Sequence, residues 1–554
     1  MQNHEWWPGV VIYQVYPRSF HDSNGDGIGD LAGITAKLDY IVSLGVEAIW
    51  LSPFFLSPMR DFGYDVADHC AVDPTFGTLA DFDRLLERAH ALGLKVLIDL
   101  VCGHSSDAHP WFRESRASRG NPRADWYVWA DAKSDGTPPN NWLSVFGGSA
   151  WRWEPRRRQY YLHHFLASQP SLNLRHPQVV DALVEAARFW LARGADGFRL
   201  DAIDFLLHDP LLRDNPPRPP AGRFMPAKPF GLQHHLYDMM QWEMPALLLR
   251  LRDLAAARPG VVLLGEVSSQ DGAYERIERY TGDALHLAYT LRPMRGRDAG
   301  EAIRHALAEI AASGDGDGVC WAFSNHDVER AASRWSPGAA LGAPPDPAFL
   351  RMLTALFLSL RGSLCLYQGE ELGLGEAPLD LADLRDPFGI AYYPEFRGRD
   401  GSRTPMPWRS DAIHAGFTTG VPWLPIPPDH GAASVAVQEA DPASPLHTWR
   451  RLIAWRKAHP ALQRGDLTLL DLPVPLIGFT RCCAEERLLA MFNPSDRAVR
   501  LSLDAFPDIM PLEDHGLPAL IEDGVVLLPP FGSLVATLEA GAVARQDRAR
   551  AATG

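Results

Sequence analysis

Cysteine is scarce in this chain: six in 554 residues. Two of the six, Cys482 and Cys483, are adjacent, and three others lie in apolar strand-like runs. That usage excludes a disulfide framework and reads as reduced, buried thiols of a cytoplasmic protein. No cysteine sits beside a histidine in a nucleophile-like arrangement, which argues against thiol catalysis. A basic, apolar leader is missing too, because MQNHEWWPGV has neither a basic stretch nor an apolar stretch of signal-peptide length. No run of about 18 apolar residues is present to span a bilayer. Positive charge is short as well: 53 Lys and Arg stand against 68 Asp and Glu, a net charge of −15. A surface of that sign excludes the phosphate backbone of nucleic acid as a partner. It leaves a small neutral or cationic molecule as the ligand class.

What is present is material for a core and a repeating pattern. Hydrophobic residues make up 46% of the chain, with 17 Trp and 14 Tyr. Eight apolar runs read as buried parallel strands, at 11–17, 47–53, 95–101, 197–203, 261–267, 285–291, 318–324 and 362–368. Amphipathic stretches such as 79–93 and 177–194 lie between them. Strand–helix alternation repeated eight times predicts a (β/α)8 TIM barrel. Two regions break the pattern. The stretch from His104 to Asn173 is too long for a loop and predicts a small inserted domain after strand 3. After about residue 463 the period changes to short alternating strands, which predicts a C-terminal all-β domain. The expected organisation is a barrel over 1–104 and 173–463, an inserted domain over 105–172, a β-sandwich over 464–540 and a disordered tail over 541–554. The Pro-rich stretch 208–229 is expected to lie over the barrel mouth.

Function in a parallel barrel gathers at the C-terminal ends of the strands. His104 follows strand 3, Asp201 ends strand 4, Glu266 ends strand 5, and His326 and Asp327 follow strand 7, so all five face one rim. A single carboxylate there is as well explained as a helix cap; three, with Arg199 two positions before Asp201 and on the same side of its strand, are not. Arg199 is expected to keep Asp201 ionised, as suits a nucleophile. Glu266, in an apolar run, is expected to have a raised pKa and to act as an acid. Separately, HDSNGDGIGD (21–30) spaces Asp22, Asn24, Asp26, Ile28 and Asp30 alternately among glycines. Oxygen ligands in that spacing resemble the first part of an EF-hand loop and predict one structural Ca2+ or Mg2+ remote from the carboxylate triad, with no organic cofactor.

WWPGVVIYQVYPRSF, GDGIGDLAGI, FGYDVADH, GHSSDAHPWF, QPSLN, GFRLDAI, GEV, SNHD, GEELGL and GRDGSRTPMPW stand in this order between residues 6 and about 410. Together they resemble the α-amylase superfamily, glycoside hydrolase family 13, in its α-glucosidase branch, and the likeness extends to about residue 540. The resemblance implies a retaining mechanism with Asp201 as nucleophile, Glu266 as general acid and base, and Asp327 as transition-state stabiliser, the first two about 5–5.5 Å apart. It further implies that His326 binds the O2 and O3 hydroxyls with Asp327, that His104 contacts O6, and that Arg199 orients Asp201. Asp61 and Arg399 would pair at the closed end of the pocket and make the enzyme exo-acting. Tyr64 would stack on the glucose, and Phe165, Ala202 and Glu376 would complete the substrate contacts. The small residue Ala202 implies a preference for α-1,4 linkages such as that of maltose. The expected partner is a short α-glucoside or sucrose, handled by a monomer or homodimer, with transglucosylation from the same intermediate. The alternative is a sucrose-directed hydrolase, isomerase or glucosyltransferase. Three departures bear on the leaving group: Gly103 in place of Asn, which removes an expected calcium ligand; Leu291 in place of Phe; and an unusual stretch at 216–245.

Overall fold

The computed structural model describes residues 5–219, 228–269, 271–338, 342–504, 506, 509–512, 515–517 and 519–538. The expected tail at 541–554 and part of the 208–229 stretch lie outside them. Eight parallel strands form the central sheet: β1 Val11–Val15, β2 Ala48–Leu51, β3 Lys95–Leu100, β4 Gly197–Leu200, β5 Val262–Val267, β6 Leu287–Thr290, β7 Cys320–Ala322 and β8 Ser363–Tyr367. Their order is β6-β5-β4-β3-β2-β1-β8-β7. A parallel bridge between Ala288 and Val319 joins the two edges and closes the barrel. Barrel closure removes both exposed edges.

The strands are buried on both sides, which is why they read as unbroken apolar runs. Ile12, Ala48, Trp50, Leu97, Leu264, Leu287, Tyr289 and Cys365 fill the interior. Val11, Tyr13, Ile49, Leu51, Val96, Ile98 and Leu263 pack outward against the helices. Two of those helices illustrate the local chemistry. In α1 (Leu79–Ala91) Thr78 and Asp81 form a reciprocal capping box. In α2 (Pro177–Arg193) Pro177 occupies the first turn and Gly194 ends the helix in the left-handed region, φ 113°.

Strand pairing sets which polar groups meet. Asp99 lies opposite Arg199 on β3 and β4. Arg199 lies opposite Leu264 on β5, and Glu266, two residues on, lies opposite Tyr289 on β6. A two-residue period puts all of these on the interior face.

Two excursions shape the rim. After β2 a two-stranded ribbon, Phe55–Leu56 with Asp68–Val72, carries Asp61 and Tyr64 in its connecting loop. Between β3 and β4 a three-stranded antiparallel sheet forms from Trp129–Ala130, Trp151–Glu154 and Gln159–Leu162. It returns to the barrel through a bridge between His104 and Ser171. After the helix Pro445–Ala458 the chain forms antiparallel sheets of five and three strands. Strands at Val499–Ser502, Ile509–Pro511 and Leu520–Glu522 join those evident in the sequence pattern. The first and last of these alternate half-buried with exposed residues, and so carry a weak apolar signal. The fully buried Arg456 and Arg481 clamp this end of the molecule, donating to the carbonyls of Gly9, Leu358, Leu360, Gly362 and Ser359, Gly465 respectively. Among the described residues no helix is long and apolar enough to cross a membrane, and all six cysteines are free.

Candidate active site

Arg199 is the hub. Its side chain is fully buried, and its Nη1 donates to Asp201 Oδ1 at 2.7 Å and to both oxygens of Asp99 at 2.8 and 2.9 Å. Nη2 donates to Glu266 Oε2 and, at 2.8 Å, to the Tyr289 hydroxyl. One guanidinium therefore ties Asp201 and Glu266 together. The main-chain N–H of Ala202 also donates to Glu266 Oε2, at 3.2 Å. Asp99 was not singled out from the sequence. The available signal was a carboxylate inside KVLIDLV, a run otherwise apolar after its first residue.

Three buried carboxylates share that one cation, so they are not all ionised together. Burial raises Glu266 to about 7, in line with the expectation for an acid. It also raises Asp201 to about 7, with Asp99 and Asp327 adding to the rise. This corrects the expectation that Arg199 keeps Asp201 ionised with a lowered pKa. Arg199 pulls the value down, but its positive charge is divided with Asp99, itself raised by burial to about 6, and with Glu266.

His326 and Asp327 follow β7. Burial lowers His326 to about 3, so the ring is neutral. Gln14 Nε2 lies 2.8 Å from Nδ1 and donates to it, which assigns the proton to Nε2. That nitrogen faces the Tyr64 hydroxyl at 2.6 Å and Asp327 Oδ2 at 3.2 Å. The Tyr64 hydroxyl in turn donates to Asp99 Oδ2, 3.1 Å away. The Tyr64 ring is 6% exposed and lies nearly parallel to that of His326, with centroids 5.3 Å apart. Burial alone would raise Asp327, but His326 and the guanidiniums of Arg399 and Arg403 outweigh it and hold the carboxyl far below its usual range. Those guanidiniums lie 3.2 and 3.0 Å from Asp327 Oδ1.

A second hub stands beside the first. Arg399 donates to Asp61 Oδ1 at 2.7 Å and to both oxygens of Asp386 at 2.8 and 3.0 Å. Gln169 Nε2 donates to Asp61 Oδ2 at 3.0 Å. His104, which burial keeps neutral with a pKa of about 3, donates to the Tyr64 carbonyl at 3.0 Å. Its ring lies 5.1 Å from that of Phe165. Arg399 sits 5.1 Å over Phe146. Asp386, Arg403, Gln169 and Phe146 extend the expected set. Gln169 and Arg403 lie within the motifs QPSLN and GRDGSRTPMPW, whereas Asp386 and Phe146 carry no motif signal and only the fold delivers them.

Beyond Asp201 the wall turns apolar. Ala202, Phe205 and Met239 cluster with Val145, Phe165, Phe230 and Met240. Phe230, Met239 and Met240 of the unusual stretch thus pack in one cluster with the residue after Asp201. Ala202 has φ 42°, in the left-handed region. Leu291 is buried in the barrel interior with Tyr289 and Met294. Glu376 stands apart from the Arg199 cluster: it accepts from the Arg330 main-chain N–H at 2.9 Å, and burial raises it to about 8. Its carboxyl fits only because residue 401 is glycine, since a Cβ there would lie 2.2 Å from Oε1.

The loop at 22–30 is organised by its own side chains. Asp22 accepts from the main-chain N–H groups of Asn24, Gly25 and Gly27 at 2.7–2.9 Å. Asn24 accepts from Asp26 N–H, and Asp26 from Ile28 N–H, both at 2.9 Å. Asp30 caps the helix Leu31–Ala36 by accepting from Gly33 N–H at 2.6 Å. Among the described residues no three His, Cys, Asp or Glu side chains group closely enough to hold a metal ion. A cation here therefore depends on Asn24 and the Ile28 carbonyl as well as the carboxylates.

Residues 14–465 match the family model for the alpha amylase catalytic domain. The chain is 51% identical over 541 residues to a probable alpha-glucosidase of Rhizobium meliloti (strain 1021), covering 96% of this chain and 97% of that one. It superposes on the crystal structure of an alpha-glucosyl transfer enzyme, XgtA, with TM-score 0.92 at 51% identity, over 97% of this chain and 100% of that one. The trehalulose synthase MutB from Pseudomonas mesoacidophila MX-45 follows at TM-score 0.83 and 31% identity, over 96% of this chain and 100% of that one. With the carboxylates and the two arginine hubs assembled at one barrel rim, this chain belongs to the α-amylase family of glycoside hydrolases, in its α-glucosidase branch.

Proposed function

We propose that the protein is a retaining, exo-acting α-glucosidase of short α-glucosides, preferring α-1,4 linkages such as that of maltose and also transferring glucose to acceptor hydroxyls. One observation supports this reading: Arg199 joins Asp201 to Glu266, while Arg399 joins Asp61 to Asp386 and reaches Asp327, the pairing that an attacking side and a blocked far side would need. Asp201 attacks the anomeric carbon as Glu266 protonates the departing oxygen, which forms a β-glucosyl ester and releases the aglycone. Glu266, now ionised, takes a proton from water or a sugar hydroxyl, which attacks the same carbon and frees Asp201 with net retention. Asp327 and His326 hold the O2 and O3 hydroxyls, more tightly as the ring flattens. Asp61 with Arg399 receives O4 at the closed end, His104 meets O6, Tyr64 stacks on the ring, and Phe165 and Glu376 contribute further contacts. Ala202 leaves space beside the leaving sugar.

A structural Ca2+ or Mg2+ at Asp22, Asn24, Asp26, Ile28 and Asp30 belongs to the same proposal. It would brace the loop and take no part in bond cleavage. A cytoplasmic monomer or homodimer completes it.

The likeness to a trehalulose synthase keeps a sucrose-directed hydrolase, isomerase or glucosyltransferase as the second reading. Product analysis by NMR with time on maltose, isomaltose and sucrose separates the two. Early α-glucose from maltose, with little from isomaltose, is the expected result. Inertness on maltose with turnover of sucrose overturns it in favour of the second reading.

A further inference from the structure

Arg18, in the turn Pro17–Ser19 after β1, is a buried cation held by rings rather than by a carboxylate. It is 7% exposed, and among the described residues its guanidinium makes no hydrogen bond or ion pair. The carboxylates whose charges reach it, Asp73 and Asp26, are engaged by the main-chain N–H groups of Ser57, Thr75 and Ile28 at 2.9–3.0 Å. Three aromatic rings stand in their place. The guanidinium carbon lies 5.1 Å from the ring centroid of Trp423, 5.4 Å from that of Phe62 and 5.8 Å from that of Phe76. Aromatic faces offset only part of the cost of burying a cation. An arrangement that costs stability beside a binding site points to a function for it.

Phe62 is the ring that joins this cage to the pocket. It follows Asp61, which accepts from Arg399, and stands two residues before Tyr64, whose hydroxyl meets His326. Its ring centroid lies 5.3 Å from that of Trp423. Trp423 is itself anchored at 3.0 Å twice, by its main-chain N–H to the Gly27 carbonyl and by its indole N–H to Ser19 Oγ. The Phe62 centroid also lies 5.7 Å from the guanidinium carbon of Arg403. Arg403 in turn donates to Asp327 Oδ1 at 3.0 Å and to the His326 carbonyl at 2.6 Å. The Phe62 backbone is in the left-handed region, φ 50°, where glycine or asparagine is the ordinary choice. A phenylalanine kept there against backbone strain is kept for its ring.

We infer that Phe62, pinned by Arg18 and Trp423, is a positioning residue for the glucose-binding end of the pocket. It sets Asp61, its neighbour in the chain, and through Arg403 it sets Asp327. The physical reason is support without competition. Carboxylates that must meet fixed hydroxyls need their surroundings locked. A ring held by cations and by another ring supplies that packing with no donor or acceptor of its own, so it fixes the loop and leaves the remaining lone pairs of both carboxylates to the sugar.

This rests on the α-glucosidase reading, with Asp61 receiving O4, and the test separates the two. The full chain is assayed on p-nitrophenyl α-glucoside and on its 4-deoxy analogue. The readout is the ratio of kcat/KM, glucoside over 4-deoxy. A general loss of structure lowers both members alike, whereas a displaced Asp61 lowers the ratio. We expect the ratio to fall roughly tenfold in Phe62→Leu, the scale of one charge-assisted hydrogen bond, mainly through a higher KM for the glucoside. In Phe62→Tyr, which keeps the ring, it should stay within about threefold of wild type. Arg18→Met should also lower the ratio, with Tm no lower than wild type, because it removes an unpaired buried cation rather than one member of an ion pair. In the double variant of Phe62→Leu and Arg18→Met the two effects should overlap rather than multiply, since Arg18 acts through the ring. If Phe62→Leu does not fold, Arg18→Met decides. A wild-type ratio near one, a ratio unchanged in Phe62→Leu or Arg18→Met, or a Phe62→Tyr variant no better than Phe62→Leu overturns this inference alone. Inertness of the wild type on the glucoside overturns the α-glucosidase reading and this inference with it.

Discussion

The two ends of the pocket are built on opposite rules. At the closed end every charge is answered from within: Arg399 by Asp61 and Asp386, Arg403 by Asp327. At the open end the wall is apolar, built by Ala202, Phe205 and Met239 with Phe165, Phe230 and Met240. A closed network has one geometry and suits one invariant sugar. An open wall tolerates different leaving groups and acceptors. The lesson is that specificity for the glucose and specificity for its aglycone are stored in different kinds of interaction, one ionic and preorganised, the other apolar and open.

Breaking the chemistry between the two ends should have the largest effect. Asp201→Asn should lower kcat by about 10⁴-fold or more, the scale of losing a covalent nucleophile. The variant should fold, with a Tm in calorimetry at neutral pH no lower than wild type, because the carboxylate it removes is one that burial disfavours. Glu266→Gln should cost about 10²–10⁴-fold on maltose. The wild-type kcat/KM against pH should be bell-shaped about neutrality. Ionisation of Asp201 gives the rising acid limb and loss of the Glu266 proton the falling alkaline limb, both near 7 and shared as a coupled pair. On p-nitrophenyl α-glucoside, which needs little protonation on leaving, Glu266→Gln should lose the alkaline limb; its survival would move the acid role elsewhere.

Opening the closed end comes next. Arg399→Met leaves Asp61 and Asp386 buried and unpaired, which should destabilise by about 3–5 kcal/mol and lower kcat/KM for maltose more than tenfold. If the far end is shut by this pair, the variant should also gain relative activity on longer α-glucans; an unchanged chain-length profile would show that something else closes the pocket.

The smallest effect probes the apolar wall. Ala202→Val should raise the α-1,6 to α-1,4 activity ratio a few-fold. The positive φ at this position adds a cost of about 1–2 kcal/mol for a β-branched residue. A Tm measurement reports that cost, while the ratio of isomaltose to maltose turnover is insensitive to it.

Raised carboxylates also predict how stability varies with pH. Burial raises Glu370 and Glu376, both half-buried, to about 7 and 8. Groups raised above their unfolded values contribute stability below about pH 4.5, and that contribution is lost as pH climbs through the folded values. Tm should therefore fall from about pH 4.5 to about pH 8 by this route and level off above it, in thermal melts with salt held constant.

The sequence alone determined the eight-strand barrel and its two additions, and it singled out the three carboxylates that meet at one rim. Buried parallel strands must be apolar along their whole length, and catalytic carboxylates at their ends interrupt that pattern visibly. The same logic exposed Arg199, because a charge inside GFRLDAI has no cheap explanation. What only the tertiary structure decided is where each charge finds its partner. Burial of Asp201, with Asp99 brought against Arg199 by the register opposite β3, turns the expected depression of the Asp201 pKa into a rise. Asp386 and Phe146 arrive at the closed end from segments about 240 residues apart, and no local signal marks either. The strained backbone at Ala202 and the aromatic cage around Arg18 are likewise invisible in one dimension. Burial and pairing depend on what lies across the pocket, and the local pattern of a chain records only what lies along it.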